Sequence, residues 1–263
     1  MSLAEQYLKA GNLTEALTQL QSQIKKDPSN ATLRTFLFQL LAVLGQWDRA
    51  LAQLNVTGEL DAMTLPMVQN YREAIRCELL RTQVFLGRHT PQIFGEPQQW
   101  IALLVQALKL TADKNYQEAK QLRDQAFELA PFTAGSINTE DFEWLADADS
   151  RLGPLLEVFI DAQYFWMPFT QIKSISIEAP ADLRDLVWLP VRMVLNNDSE
   201  FLALIPTRYP ESEVSEDNLI KLARKTEWLN CGEDTYLGLG QRILTTNNND
   251  YALLDVREIL FNN

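Results

Sequence analysis

"AGNLTEALTQLQSQIKKDPSN", residues 10–30, decides how the first half of this 263-residue chain is read. It returns as "LGQWDRALAQL" at 44–54 and as "DKNYQEAKQLRDQAFELAP" at 113–131. Gly11 and Gly45 lie 34 residues apart, as do Leu13 and Trp47, Ala16 and Ala50, Leu17 and Leu51, and Leu20 and Leu54. Tyr116 and Ala119 follow Trp47 and Ala50 by 69 residues, close to two further periods.

Each recurring position has a physical reason. Glycine tolerates the tight turn between two helices, and the small Ala16, Ala50 and Ala119 let those helices approach closely. Pro28 and Pro131 close the second helix. A 34-residue period with this pattern is similar to the tetratricopeptide repeat. Residues 60–99 fit it poorly. "MVQNYREAIRCELLRTQVFLGR" reads as a helix, but "HTPQIFGEPQQW" reads as a Pro/Gly-broken loop. The expectation is an irregular helical array.

Charge divides the chain. Residues 1–139 balance 13 Lys/Arg against 13 Asp/Glu, whereas residues 140–263 carry 10 against 22, so the net charge of −12 resides in the second half. With the small polar "FTAGSINT" at 132–139, this places a boundary between a repeat domain, 1–135, and an acidic domain, 136–263. The acidic half argues against nucleic acid or an anionic membrane as partner and would suit a basic protein surface. At 46% apolar residues the chain can bury sizeable cores. The longest nearly apolar stretch, "FLFQLLAVLG", is about half of what a membrane span requires. "MSLAEQYLKAGNL" lacks the basic start and apolar core of a signal peptide. Cys77 and Cys231 read as reduced thiols of a cytoplasmic protein.

Past the boundary, "FEWLADADSRLGP" (142–154) reads as part of a helix over about 139–152, with Glu143, Asp147 and Arg151 at i, i+4 spacing. "LLEVFIDAQYFWMPFTQIKSISIE" is aromatic and β-branched, and "IKSISIE" alternates as a strand does. "LVWLPVRMVL" and "SEFLALIP" read as two strands about a turn. "EDNLIKLARKTEWL" is helix-like, and "QRILTTNNNDYALLDVREILF" gives a strand, a polar turn and a closing segment. The class is therefore α+β, a helical repeat followed by a mixed, mainly antiparallel domain.

Catalytic signals are sparse. The chain has one histidine, His89, and neither a nucleophile elbow nor a phosphate-binding glycine loop. "GLGQRI" (238–243) lacks the third glycine of a dinucleotide fingerprint and reads as a turn. "ESEVSED" (211–217) reads as a solvated loop without calcium-loop spacing. No cofactor motif emerges. An alternative reading gathers Asp147, Asp149, Asp182 and Asp185 into a metal-dependent hydrolase-like site.

Helical arrays present a curved face that accepts a peptide or helix. Tyr71, Arg72, Arg76 and Arg81 fall near helical spacing and are candidates to line it. The same arginines could instead solvate the outer surface. Several stretches taken together resemble the ImpE family, also called TagJ: "FLFQLLAVLGQWDRAL", "YREAIRCE", "FGEPQQW", "FEWLADADSRLGP", "APADLRDLVWLP", "IPTRYPESE", "LARKTEW", "LGLGQRILTT" and "LLDVREIL". One departure is Glu211, where the family has glycine after "RYP". The resemblance implies a cytosolic, non-enzymatic accessory factor of type VI secretion. It would bind the small contractile-sheath subunit, through an amphipathic helix of that subunit, and connect it to the AAA+ ATPase that disassembles the sheath. Among the residues that mark the family, Arg184, Arg208, Tyr209 and Trp228 join Tyr71, Arg72 and Arg76 as candidates for partner contact. A packed, ion-paired core would require the same residue types.

Overall fold

A computed structural model describes residues 2–96 and 98–262 of the chain. Its first half is a helical array: α1 (Leu3–Lys9), α2 (Leu13–Lys26), α3 (Ala31–Val43), α4 (Trp47–Leu60), α5 (Leu65–Phe85), α6 (Gln99–Ala112) and α7 (Tyr116–Leu129). Side-chain caps start several of these helices. The Asn12 carboxamide accepts from the Glu15 backbone, and that of Asn30 from Leu33.

The repeated turns close alike. Gly11 N–H donates to Leu8 O and Asn12 N–H to Tyr7 O; Gly45 and Gln46 do the same to Ala42 and Leu41. This pair of bonds satisfies the last free carbonyls of the preceding helix and requires a left-handed residue. Gly11 and Gly45 supply it at φ +78° and +66°. At the third copy the position is occupied by Lys114, at φ 62°. The turn alanines Ala16, Ala50 and Ala119 are fully buried, as close helix approach demands.

From Gly135 onward the chain is mostly strand. A nine-stranded sheet runs in the order β1-β6-β5-β9-β8-β7-β14-β2-β3. Its members are β1 (Gln92–Ile93), β2 (Gly135–Ile137), β3 (Glu140–Phe142), β5 (Leu155–Ile160), β6 (Gln163–Pro168), β7 (Ile172–Ile177), β8 (Trp188–Leu195), β9 (Glu200–Pro206) and β14 (Glu258–Phe261). Every pairing in it is antiparallel except that of β1 with β6. Smaller sheets join β4 (Leu145–Asp147) to β12 (Ile243–Thr246) and β13 (Asp250–Ala252), and β10 (Thr226–Asn230) to β11 (Tyr236–Gly240). The expected α+β class and helical repeats are present.

Three local expectations fail. The stretch 139–152 is two short strands and a turn, because Leu145 and Asp147 alternate inward around Ala146 and pair with β12. "EDNLIKLARKTEWL" holds only one helical turn, α8 (Asn218–Lys221), which stops before Ala223 at φ 52° and gives way to β10. "GLG" of "GLGQRI" is the end of strand β11, and Gly238 is required there because an added Cβ would fall 2.2 Å from the Tyr209 ring.

The two faces of the large sheet enter different cores. One face, through Phe159, Trp166, Trp188 and Leu204, joins the same apolar cluster as Phe38, Tyr71, Ala74 and Phe85 of the helices. The other, through Val158, Met167, Ile175, Val191, Met193 and Ile205, packs with Leu244, Leu253 and Val256 of the C-terminal segment. The sheet is thereby fixed against α5.

Candidate functional site

The seam between helices and sheet is built from charged side chains as well as apolar ones. Arg81 of α5 makes a two-pronged bond to the Glu157 carboxylate of β5, at 2.7 and 2.9 Å. It also donates to Glu78, at 2.8 Å, and to the Arg208 carbonyl. Trp188 Nε1 donates to the other Glu78 oxygen, and Tyr164 OH to Glu157 at 2.6 Å. Arg242 bridges Glu157, at 2.5 Å, to Asp147. Asp149 takes Arg151 at 2.6 Å and the Gly238 N–H at 2.8 Å. Glu157, Asp149 and Arg242 are completely buried. In so dry a place ions persist only when each is paired and hydrogen-bonded.

The electrostatics follow from that pairing. Burial pushes the Glu157 carboxyl upward, but the Arg81 and Arg242 guanidiniums overcome it and hold the group down at about 2. Asp147 is lifted to about 6 because burial there outweighs its attraction to Arg242. The Arg242 guanidinium is in turn raised, against its own desolvation, by Asp147 and Glu157. The partners therefore pull differently on the Asp147 proton. The carboxylate that accepts from Arg242, Tyr209 OH and the Asp149 N–H is the form present at neutral pH.

Most of the candidate contact residues belong to this seam. Tyr71 is buried, stacked near Phe38 and Trp188, with the Arg184 guanidinium 4.7 Å above its ring. Burial pushes its hydroxyl up to about 12. Arg208 is buried and donates to the carbonyls of Val43 and Lys221. It thus caps α3 at the end where the helix dipole favours a cation. Arg224 likewise caps α1 through Lys9 O. Tyr209 is buried and lies 3.0 Å from Asp147 Oδ1, and Trp228 covers its ring while remaining 39% exposed. Of these basic candidates Arg76 is exposed, and Arg72 is half-buried beside it on α5. Arg72 bonds Asn55 of α4 and Arg76 bonds Glu73, and both rim a shallow 590 Å3 depression between α4 and α5.

The aspartates do not converge. Asp147 and Asp149 are engaged by Arg242 and Arg151. Asp182 and Asp185 cap the short turn Leu183–Leu186. Among the described residues no group of three or more His, Cys, Asp or Glu is placed to hold a metal ion. Cys77 is buried, and burial next to Glu78 and Glu73 pushes its thiol up to about 12, which keeps it protonated.

A groove of about 790 Å3 lies between α5 and the neighbouring part of the sheet. Asn70, Glu73, Ala74 and Cys77 form its helical wall, and Pro190, Arg192, Leu202 and Leu204 its strand wall. Along β9 the same face passes from Leu204, 7% exposed, to Leu202, 86% exposed, so the sheet runs out from under its cover here. Among the charged lining residues Glu73, Asp161, Glu178, Asp185 and Glu258 outnumber Arg192 and Arg257. Sequence reasoning found neither this groove nor the buried seam. For the seam the available signal was Glu157, the one charge in "LLEVFI", which announces a buried cation from elsewhere.

Comparisons with known proteins agree with this architecture. Residues 139–260 match the family model described as ImpE protein, and residues 7–75 match a tetratricopeptide repeat model. The type VI secretion system accessory component TagJ of Pseudomonas aeruginosa is 53% identical over 259 residues, which is 98% of this chain and 91% of that protein. The crystal structure of protein VPA1032 from Vibrio parahaemolyticus is similar with a TM-score of 0.89 at 27% identity, covering 99% of this chain and 97% of that one.

Proposed function

This chain belongs to the ImpE/TagJ family, and from that premise we propose that it is a non-enzymatic adaptor of a type VI secretion system. It holds an amphipathic helix of the small contractile-sheath subunit and links the sheath to the AAA+ ATPase that disassembles it. The observation that carries this reading is the groove beside α5, where the apolar Leu202 stands 86% exposed on its strand wall. Burying such a side chain is worth about 1.5–3 kcal/mol, and helices commonly lie in grooves of this kind by their apolar stripe. The acidic lining suits a helix whose polar face is basic. This choice moves the contact away from Arg72 and Arg76, which lie on the other side of α5 beside α4.

Calorimetric titration with a peptide spanning the N-terminal helix of the small sheath subunit tests the reading. Saturable one-to-one binding is expected, weakened at least about tenfold, or about 1.4 kcal/mol, by Leu202→Glu and left unchanged by Arg72→Glu with Arg76→Glu. The reverse pattern would move the helix to the α4–α5 face. Absence of binding to both the peptide and the intact sheath would remove the adaptor reading.

A further inference from the structure

A second apolar recess, sharing no lining residue with the groove, lies where α7 ends and the sheet begins. Phe127, Pro131, Phe132, Trp144 and Leu145 line a cavity of about 340 Å3. Such a volume sits at the lower end of the roughly 300–1,000 Å3 of ligand pockets, enough for one or two side chains rather than a helix. Its rim is unusually apolar for an exposed place. Phe132 is 82% exposed, Leu129 52% and Phe127 38%. The recess depends on a glycine: at Gly153, φ +54°, an added Cβ would fall 2.5 Å from the Phe127 ring.

The exposed charge on the segment that supplies most of this lining has one sign. From Asp124 through Ser150 the chain contains no Lys or Arg, while Glu128, Glu140, Asp141 and Glu143 are all solvent-exposed. Glu140 is engaged by Tyr251 and Asn249, both neutral. A second copy of the chain would bring the same acidic segment against itself, so charge disfavours self-association here. Exposed aromatic side chains around a small apolar hole, with the exposed Glu128 next to the lining Phe127 and the exposed Glu143 next to the lining Trp144, fit the opposite chemistry.

We propose that this recess is a docking site for a basic peptide segment that inserts a single bulky apolar side chain beside Phe132 and Trp144, with flanking Lys or Arg over the acidic segment. The site is independent of the groove beside α5 and would let the protein hold two partners at once.

The probe is a synthetic lysine-flanked hexapeptide with a central Leu-Phe pair, titrated against the full chain and followed by tryptophan fluorescence and calorimetry. Saturable binding is expected, with affinity falling at least tenfold in 0.5 M salt, in Phe132→Ser and in Ala146→Leu, which fills the hole. The fluorescence change should vanish in Trp144→Phe while calorimetric binding persists. Leu202→Glu, in the α5 groove, should leave this binding intact, which separates its fate from that of the proposed sheath contact. Equal binding of a glutamate-flanked peptide would overturn the assigned chemistry. Unaltered binding in Phe132→Ser and Ala146→Leu would overturn the assigned place. A dimer that dissociates on Phe132→Ser would give the recess to a second copy, and no binding at millimolar peptide would end the proposal.

Discussion

The turn at Gly45 and the turn that follows Asp147 both reverse the chain, but they are held in different ways. At Gly45 the bonds reach back three to five residues, Gly45 N–H to Ala42 O and Gln46 N–H to Leu41 O. At Asp147 the decisive partner, Arg242, lies 95 residues away and is itself shared with Glu157. A locally closed turn can be repeated, and this chain repeats it. A turn closed by distant charges can be formed only once the rest of the sheet is in place. The difference separates what folds from local information from what folds by assembly.

The largest effect should come from breaking the distant arrangement. Arg242→Met leaves Asp147 and Glu157 as buried carboxylates without a shared cation and is expected to cost about 3–5 kcal/mol, the usual penalty for removing one partner of a buried pair. Urea unfolding would measure it, and a loss below 1 kcal/mol would show that the seam does not depend on this bridge. By contrast, Ala50→Leu in the local arrangement overfills one helix–helix contact and should cost about 1–3 kcal/mol. That loss should leave near-ultraviolet signals of the sheet aromatics unchanged at temperatures below the transition.

Acid should act on the seam before the repeats. Glu157 is held at about 2, below its ordinary value, so the stability it contributes is present above about 4.5 and is lost as pH falls from there toward 2. Asp147 runs the other way: lifted to about 6, it contributes stability when protonated, and that contribution is lost as pH rises from about 4 through 6. Melting temperatures should therefore pass through a maximum on the acid side of neutrality. Glu157→Gln, although destabilised at every pH, should flatten the limb below pH 4.5. An unchanged limb in that variant would place the acid sensitivity outside the seam.

The same contrast explains what was legible in the sequence. The repeat helices could be read because Gly, Ala and Pro recur at fixed spacing and each acts within its own turn. The strands β7 and β8 could be read because their burial alternates, and β9 because a short apolar run follows a polar turn. The segment 142–154 was misread because Glu143, Asp147 and Arg151 have helical spacing, and the ion pairs that formed instead, Asp147–Arg242 and Asp149–Arg151, obey no such spacing. Arg208 and Tyr209 resembled contact residues for a related reason. An arginine that caps a helix from across the fold and one that waits for a partner look alike in a string of letters. The α5 groove escaped because Leu202 belongs to a strand buried from Ala203 to Pro206, and only the limit of the helical cover exposes it.

The smallest effects test how strictly the local turn holds. Lys114 and Glu211 both adopt left-handed backbone, at φ 62° and 69°, where the repeat or the family pattern has glycine. Both also line one cavity of about 240 Å3 between the helices and the β10–β11 hairpin. A left-handed L-residue costs about 1–2 kcal/mol, offset by the roughly 0.5–1 kcal/mol that glycine loses in chain entropy on folding. Lys114→Gly and Glu211→Gly should thus each stabilise the protein by up to about 1 kcal/mol, and the two gains should add, because no hydrogen bond or ion pair joins the side chains among the described residues. Differential scanning calorimetry would resolve a shift of about 2–4 °C at this chain length. A loss of stability in either variant would mean that the side chain contributes more than its backbone strain costs. In that event the third repeat turn, unlike the two glycine turns, would be held from a distance like the turn after Asp147.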